Sequence, residues 1–381
     1  MTSKPPADLD DRQICLGYDE AADFRDGAMM PPIVQTSLFA HERFEDLLSG
    51  LASEHENFVY SRGQNPTVQA LEQKLALLER GESCKCFGSG MGAVSAVLTG
   101  LLDGGDHVVF GNHIYGPTLQ LAERLTRYGV EHTVVTQSDT DNILAAIQPN
   151  TRLLYLESPG SMLFQELDLK TLTERAHQRG VLVAVDNSWA SPLFQKPLTL
   201  GADISLHSCT KYIGGHSDVV AGAVICEQAL MQRIYYNAFM LNGAIMAPFE
   251  AWLLIRSLRT LPVRMQQHQA GALAVARFLA EHPRVKAVHH PGLNPVSYSA
   301  LTGTSGLFSF EADFADFAAL FKFIDGLKYF QSGVSWGGVE SLVISPSRPK
   351  DQSKPSPLVR LSVGLEDPDL LIADLTAGLA K

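Results

Sequence analysis

Through the middle of the chain, short apolar runs alternate with amphipathic stretches. His107–Phe110, His132–Val135, Leu153–Leu156, Val181–Val185, Ile204–His207 and Ala223–Cys226 are near-continuous hydrophobic segments of strand length. Between them, segments such as Thr118–Tyr128 and Leu169–Arg179 carry helical patterns. Strands that are apolar throughout, separated by helices, predict a mostly parallel sheet covered on both faces. In such a sheet the ligand lies at the carboxyl ends of the strands. Upstream, Thr67, Val68, Leu71, Leu75 and Leu78 fall at helical spacing, with Gly81 as the stop. The pattern changes after Arg256. A long helix is predicted over Val263–Glu281, followed by shorter segments such as Gly306–Glu311 and Leu358–Val363. The division this predicts is a large α/β domain at 61–256 and a smaller α/β domain at 257–381. Residues 1–60 have no clear periodic element beyond a short polar helix around Glu42–Ala52. So long an irregular start reads as an arm lying over another part of the assembly. Ser345–Pro357, rich in Pro, Ser and Lys, reads as a surface loop.

Composition narrows the function classes. The chain has 381 residues, 45% apolar and 19% charged, which suits a globular protein with ample core. A net charge of −11 without any Lys/Arg block argues against nucleic-acid binding. No stretch approaches the ~20 apolar residues of a membrane span. Met1–Arg12 is polar and acidic without an apolar core, so the expectation is a soluble protein of a reducing cytoplasm. The five cysteines (Cys15, Cys84, Cys86, Cys209 and Cys226) do not have disulfide-scaffold density. Cys84-x-Cys86 reads as two buried thiols, a metal or redox pair being the alternative. The histidines have no metal-ligand spacing, and no metal site is expected.

Several polar residues sit where chemistry could use them. Lys211 follows the apolar run Ile204–Leu206 and lies between Ser208-Cys209-Thr210 and Gly214-Gly215. That context suits an amine able to form a Schiff base with an aldehyde cofactor, with hydroxyls for a phosphate ester beside it. Asp186 closes the run Val181–Val185, where a carboxylate needs a cation or a protonated heterocycle. A helix N-cap is the alternative for that residue. Gly88-Ser89-Gly90-Met91-Gly92 enters an apolar helix and could bind an anion through free N–H groups, or be a tight turn only. Tyr115 follows a strand, where its ring could stack on a flat cofactor or simply pack. Tyr60 and Arg62 could reach a phosphate in their own subunit or a neighbouring one, or form a solvated surface pair. Arg360, a charge inside a strand pattern, needs a bidentate partner: a substrate carboxylate or an internal acid.

Taken together, these pieces resemble the Cys/Met-metabolism family of fold-type I, aminotransferase-like pyridoxal-phosphate enzymes. The resemblance runs from about Pro31 to Gly378. It rests on Tyr60-Ser-Arg-Gly-Gln-Asn-Pro-Thr67, Ser89-Gly-Met91, Val185-Asp-Asn187, Ser208-Cys-Thr-Lys-Tyr-Ile-Gly-Gly-His-Ser-Asp218 and Arg256-Ser-Leu-Arg-Thr-Leu-Pro-Val-Arg264. The resemblance implies pyridoxal 5'-phosphate bound covalently to Lys211, with Asp186 on the pyridine nitrogen and Tyr115 stacked on the ring as an acid/base group. It implies phosphate binding by Gly90, Met91, Ser208 and Thr210, completed by Tyr60 and Arg62 of a neighbouring subunit. The minimal active unit would be a homodimer, paired into a homotetramer. Arg360, helped by Ser335, would grip the carboxylate of a sulfur amino acid.

The choice of bond rests on finer likenesses. Val334-Ser335-Trp336-Gly337-Gly338 and Glu157-Ser-Pro-Gly-Ser161 resemble bacterial cystathionine β-lyases, with Trp336 and Ser161 at the substrate. Asn65-Pro66-Thr67 and Tyr115-Gly116 resemble the γ-acting relatives instead. Pro117 stands where methionine γ-lyases typically carry a cysteine. The expectation is therefore a carbon–sulfur β-lyase that cleaves L-cystathionine to homocysteine, pyruvate and ammonia, within transsulfuration and methionine biosynthesis. The alternatives are cystathionine γ-synthase or γ-lyase chemistry, or a broad cysteine-conjugate β-lyase. A metabolite-sensing protein without turnover is the rival outside enzymes.

Overall fold

The computed structural model describes residues 10–17, 27–350 and 353–380. Part of the expected arm, residues 1–9 and 18–26, therefore lies outside the described residues. The chain forms two sheets. The larger has seven strands: β1 (Ser83–Phe87), β2 (His107–Gly111), β3 (Glu131–Val135), β4 (Thr151–Glu157), β5 (Leu182–Asp186), β6 (Ile204–His207) and β7 (Gly222–Cys226), in the order β1-β7-β6-β5-β4-β2-β3. Neighbours from β3 through β6 are parallel, and β7 runs antiparallel to both β6 and β1. All six predicted strands are present. In the central strands unbroken hydrophobicity has a simple cause: successive residues feed opposite cores, whereas edge strand β3 buries only Val135. Val183 and Val185 join one buried cluster, and Ala184 between them joins another.

The remaining strand, β1, was not predicted, because Ser-Cys-Lys-Cys-Phe does not read as one. Its central charge is buried and paired: Lys85 Nζ lies 2.9 Å from Glu72 and 3.0 Å from Gln64. Glu72 also accepts the Cys86 N–H at 2.9 Å on the strand's unpaired side. One carboxylate thus satisfies a buried cation and an edge amide together, which makes the strand tolerable. Cys84 and Cys86 alternate with Lys85 and pack against Leu71 and Leu75. All five cysteines are buried and unpaired.

Glu72 belongs to the helix Pro66–Glu79, which starts at Asn65, whose side chain caps the Thr67 N–H at 3.0 Å. The helix stops at Arg80, in the left-handed conformation at φ 62°, rather than at Gly81. Part of the irregular start is also helical: Asp11–Leu16 and Phe44–Ala52.

The second sheet contains β8 (Val285–His289), β9 (Leu307–Ala312), β10 (Gln331–Ser332), β11 (Leu342–Ile344) and β12 (Leu358–Ser362), ordered β10-β11-β12-β9-β8. The helix Leu261–Glu281 covers it, packing Ala272, Val275 and Leu279 against Phe308, Phe310 and Leu361. The helix Pro248–Leu258 runs straight through the expected boundary at residue 256. No helix among the described residues is long and apolar enough to cross a membrane.

Two contacts join the sheets beside the strand ends of the first. Trp189, three residues after β5, donates its indole N–H to the Leu307 carbonyl at 2.9 Å. The Tyr212 hydroxyl accepts the Gly306 N–H at 2.8 Å. Replacing Trp189 with Phe should remove that bond and lower stability by about 1–3 kcal/mol. The check is a urea midpoint shifted to lower concentration at unchanged slope.

Candidate active site

The carboxyl ends of β4, β5 and β6 carry the first groups of the site. Asp186 ends β5, and its Cα partner across the ladder is Glu157 at the end of β4. Oδ1 of Asp186 accepts the Ser188 N–H at 3.0 Å and the Ser188 hydroxyl at 2.6 Å. The same hydroxyl oxygen accepts the Ser208 N–H at 2.6 Å, tying the loop after β5 to the loop after β6. Asp186 is not a helix N-cap: the next helix, Ser191–Phe194, has Ala190 in that position. These loops are fastened from below by Glu79, which is fully buried at the end of its helix. Its Oε1 accepts from Asn187 at 2.8 Å and lies 2.5 Å from His207 Nε2.

Lys211 lies in the turn after β6 and meets a loop of the second sheet. Its Nζ donates to Ser335 Oγ at 2.5 Å and lies 5.2 Å from the centre of the Trp336 ring. Burial, then the nearby Arg360 guanidinium, push the Lys211 pKa down to about 8, against the opposing pull of Asp186. The amine is therefore unprotonated far more often near neutral pH than an ordinary lysine, as a nucleophile requires. Arg360 lies on β12 and donates to the Ser335 carbonyl at 3.3 Å. No carboxylate stands within ion-pair distance of it among the described residues, which removes the internal-acid reading. Ser335 holds φ at 77°, a conformation costly for a non-glycine residue. Gly337, at φ 85°, seats the loop: a Cβ there would lie 2.9 Å from the Tyr212 nitrogen.

Beside these groups begins the helix Gly90–Leu101, where the Ser89 hydroxyl caps the Gly92 N–H at 2.9 Å. Gly90 and Met91 are its first two residues, whose N–H groups have no partner inside the helix. Gly90 packs on Ser208 so closely that a Cβ would come within 3.0 Å of its hydroxyl. Thr210 has its hydroxyl engaged with the Ala221 N–H at 3.0 Å and carbonyl at 3.2 Å, so it also shapes the turn. The Tyr115 ring is half exposed rather than packed in a core. Tyr60 and Arg62 are exposed and stack on each other at 5.5 Å. No hydrogen bond, ion pair or ring contact described for them reaches Lys211, Asp186 or Ser208 within the chain.

Glu157 had no role in the sequence reading. Its Oε2 accepts the Tyr115 N–H at 2.8 Å and its Oε1 accepts the Ser161 hydroxyl at 2.5 Å. The signal was present: two apolar runs, one ending in Glu157 and one in Asp186.

The described residues thus supply an amine with a loosely held proton, a carboxylate on a strand end, and a helix start open to an anion. This donor set fits an aldehyde cofactor that carries a basic ring nitrogen and a phosphate. The family model described as Cys/Met metabolism PLP-dependent enzyme matches residues 13–380. The chain belongs to this family. It is 39% identical over 373 residues to an L-methionine gamma-lyase of Fusobacterium nucleatum subsp. polymorphum, covering 93% of this chain and 94% of that protein. It is 40% identical over 383 residues to a cystathionine gamma-synthase of Mycobacterium tuberculosis, covering 97% and 96%. The crystal structure of metB from Corynebacterium glutamicum superposes with a TM-score of 0.90 at 34% identity, over 98% of both chains. As a member of the family the chain is a pyridoxal 5'-phosphate enzyme with the fold-type I arrangement of a large and a small sheet.

Only a neutral amine attacks an aldehyde. Cofactor capture by cofactor-free protein should therefore speed up as pH rises and reach half its limit near 8, as stopped-flow absorbance would record. Borohydride reduction followed by peptide mapping should place the label on Lys211, and Lys211→Ala should take none.

Proposed function

We propose that this enzyme acts at the γ-carbon of its amino-acid substrate, in the manner of a cystathionine γ-synthase or γ-lyase. The observation that carries the reading is full-length similarity, at 39% and 40% identity, to enzymes named for γ-chemistry. It favours the γ alternative over the β-lyase expectation drawn from Trp336 and Ser161. Within the γ class, Pro117 speaks for the synthase type over a methionine γ-lyase.

Pyridoxal phosphate, when bound, supplies an electron sink for charge developing at the substrate's α-carbon. Its holders in this reading are Lys211 for the aldehyde carbon, Asp186 for the ring nitrogen and Tyr115 for the ring face. Gly90, Met91, Ser208 and Thr210 would hold the phosphate. Tyr60 and Arg62, exposed in the single chain, would reach that phosphate from a second copy, which would make the working unit a homodimer, paired further into a tetramer.

The residues divide the remaining work. Arg360, whose fork lacks an acidic partner, binds the substrate carboxylate, with Ser335 and Ser161 beside it. Lys211, kept partly unprotonated by burial and by Arg360, removes the α-proton as a base. Departure of a γ-substituent also requires loss of a β-proton. The lysine's flexible stem and its hydroxyl partner Ser335 let the same amine reach both carbons, taking the β-proton only after it has given up the α-proton. Tyr115 is the proton donor for the leaving group, and Trp336 walls the amine on one side. Val334, 76% exposed, puts no charge beside the distal part of the substrate.

Given an activated homoserine and cysteine, the holoenzyme should form L-cystathionine, and any keto acid it releases from L-cystathionine should be 2-oxobutyrate. Pyruvate with homocysteine would sink the γ reading and restore the β-lyase. Arg360→Ala should lower kcat/KM by about 10- to 100-fold through loss of a charge-assisted contact.

A further inference from the structure

We propose that Glu157 is a positioning residue of this site, holding Tyr115 and Ser161 in place through its two carboxyl oxygens. The inference rests on the pyridoxal-phosphate chemistry of the site and holds whichever carbon reacts.

Three observations converge on it. Tyr115 begins the helix Gly116–Leu125, whose N-cap makes no side-chain hydrogen bond and whose first turn contains Pro117. The Tyr115 N–H goes instead to Glu157 Oε2 at 2.8 Å, so the direction of that residue is set from the end of β4. The other oxygen takes the Ser161 hydroxyl at 2.5 Å, and the Ser161 N–H donates to the His113 carbonyl at 2.7 Å. The Glu157 backbone is itself clamped: its carbonyl accepts from Asn112 at 3.1 Å, with Asn112 in the left-handed region at φ 73°. Two loops are thereby laced around one carboxyl group. Glu157 also stands directly across the ladder from Asp186. Two adjacent carboxylates on neighbouring strands do not both ionise readily. Burial and the Asp186 charge push the Glu157 pKa up, against its hydrogen bonds to Ser161 and Tyr115. Glu157 therefore holds a proton more readily than an ordinary carboxyl group, and an uncharged side chain of the same shape can serve its two hydrogen bonds.

This has a specific consequence for substitution. Glutamine keeps an oxygen for the Tyr115 N–H and offers its amide protons to the Ser161 oxygen, without charge. Alanine keeps neither. In the holoenzyme, Glu157→Gln should keep kcat within about threefold, whereas Glu157→Ala should lose about 10- to 100-fold through misplacement of Tyr115. Circular dichroism in the visible band of the bound cofactor reports the ring's surroundings without any substrate. It should match wild type in Glu157→Gln and change in Glu157→Ala. In a Tyr115→Phe background, Glu157→Ala should add little to the loss in kcat. A Glu157→Gln variant that takes up cofactor normally but is as impaired as Glu157→Ala would overturn the proposal, since a charge would then be required. Full additivity of Glu157→Ala with Tyr115→Phe would overturn it too. If the alanine variant does not fold, the glutamine variant decides by the same kcat and dichroism criteria.

Discussion

An amine kept out of water next to a guanidinium is the constraint around which this molecule is arranged. Lys211 lies where the two sheets meet, and burial and Arg360 both make its proton easier to lose. Neither sheet could produce that environment alone. The lysine belongs to the turn after β6, while Arg360, Ser335 and Trp336 come from the second sheet and its loop. The loop holds Ser335 in an unfavourable backbone conformation, and it stays there because Lys211 and Arg360 each bond to that serine. Gly337 allows the contact, since a side chain at that position would strike the Tyr212 nitrogen.

The opposite side of the site depends on strand ends. In a parallel sheet the carboxyl edge gathers successive loops, and here three of them must hold polar groups in fixed relation. Glu79 fastens two from beneath, through Asn187 and His207. A carboxylate at the last turn of a helix opposes the helix dipole, and full burial adds to its cost. Helix stability does not explain its placement. Its two hydrogen bonds offset part of the cost and couple the helix Pro66–Glu79 to the residues next to Asp186 and Ser208. Glu157 performs a similar service from within the sheet for Tyr115 and Ser161.

Much of this was legible in the chain. The central apolar strands stood out because residues on both of their faces are buried, as Val183, Ala184 and Val185 are, leaving no polar alternation to confuse the pattern. Lys211, Asp186 and Arg360 stood out as charges beside or within such runs. What stayed hidden depended on partners distant in sequence. The strand β1 could not be read because its lysine becomes acceptable only when Glu72, in another element, arrives beside it. Glu157 looked like an ordinary strand end until the ladder put it opposite Asp186. Gly81 looked like the helix stop, but Arg80 takes the left-handed position.

The amino-acid sequence by itself determined the class of the fold and the kind of chemistry. Hydrophobic periodicity fixes which segments become buried strands, and a handful of ordered motifs carries the cofactor's requirements. Tertiary structure decided which charges are compensated. The Lys211 pKa is lowered by burial and then by Arg360, Arg360 lacks an acid among the described residues, and Glu157 must share its edge with Asp186. These are properties of distance and solvent exclusion between residues tens to more than a hundred positions apart. Electrostatic energy depends on that separation and on the water between, and neither is written along the chain.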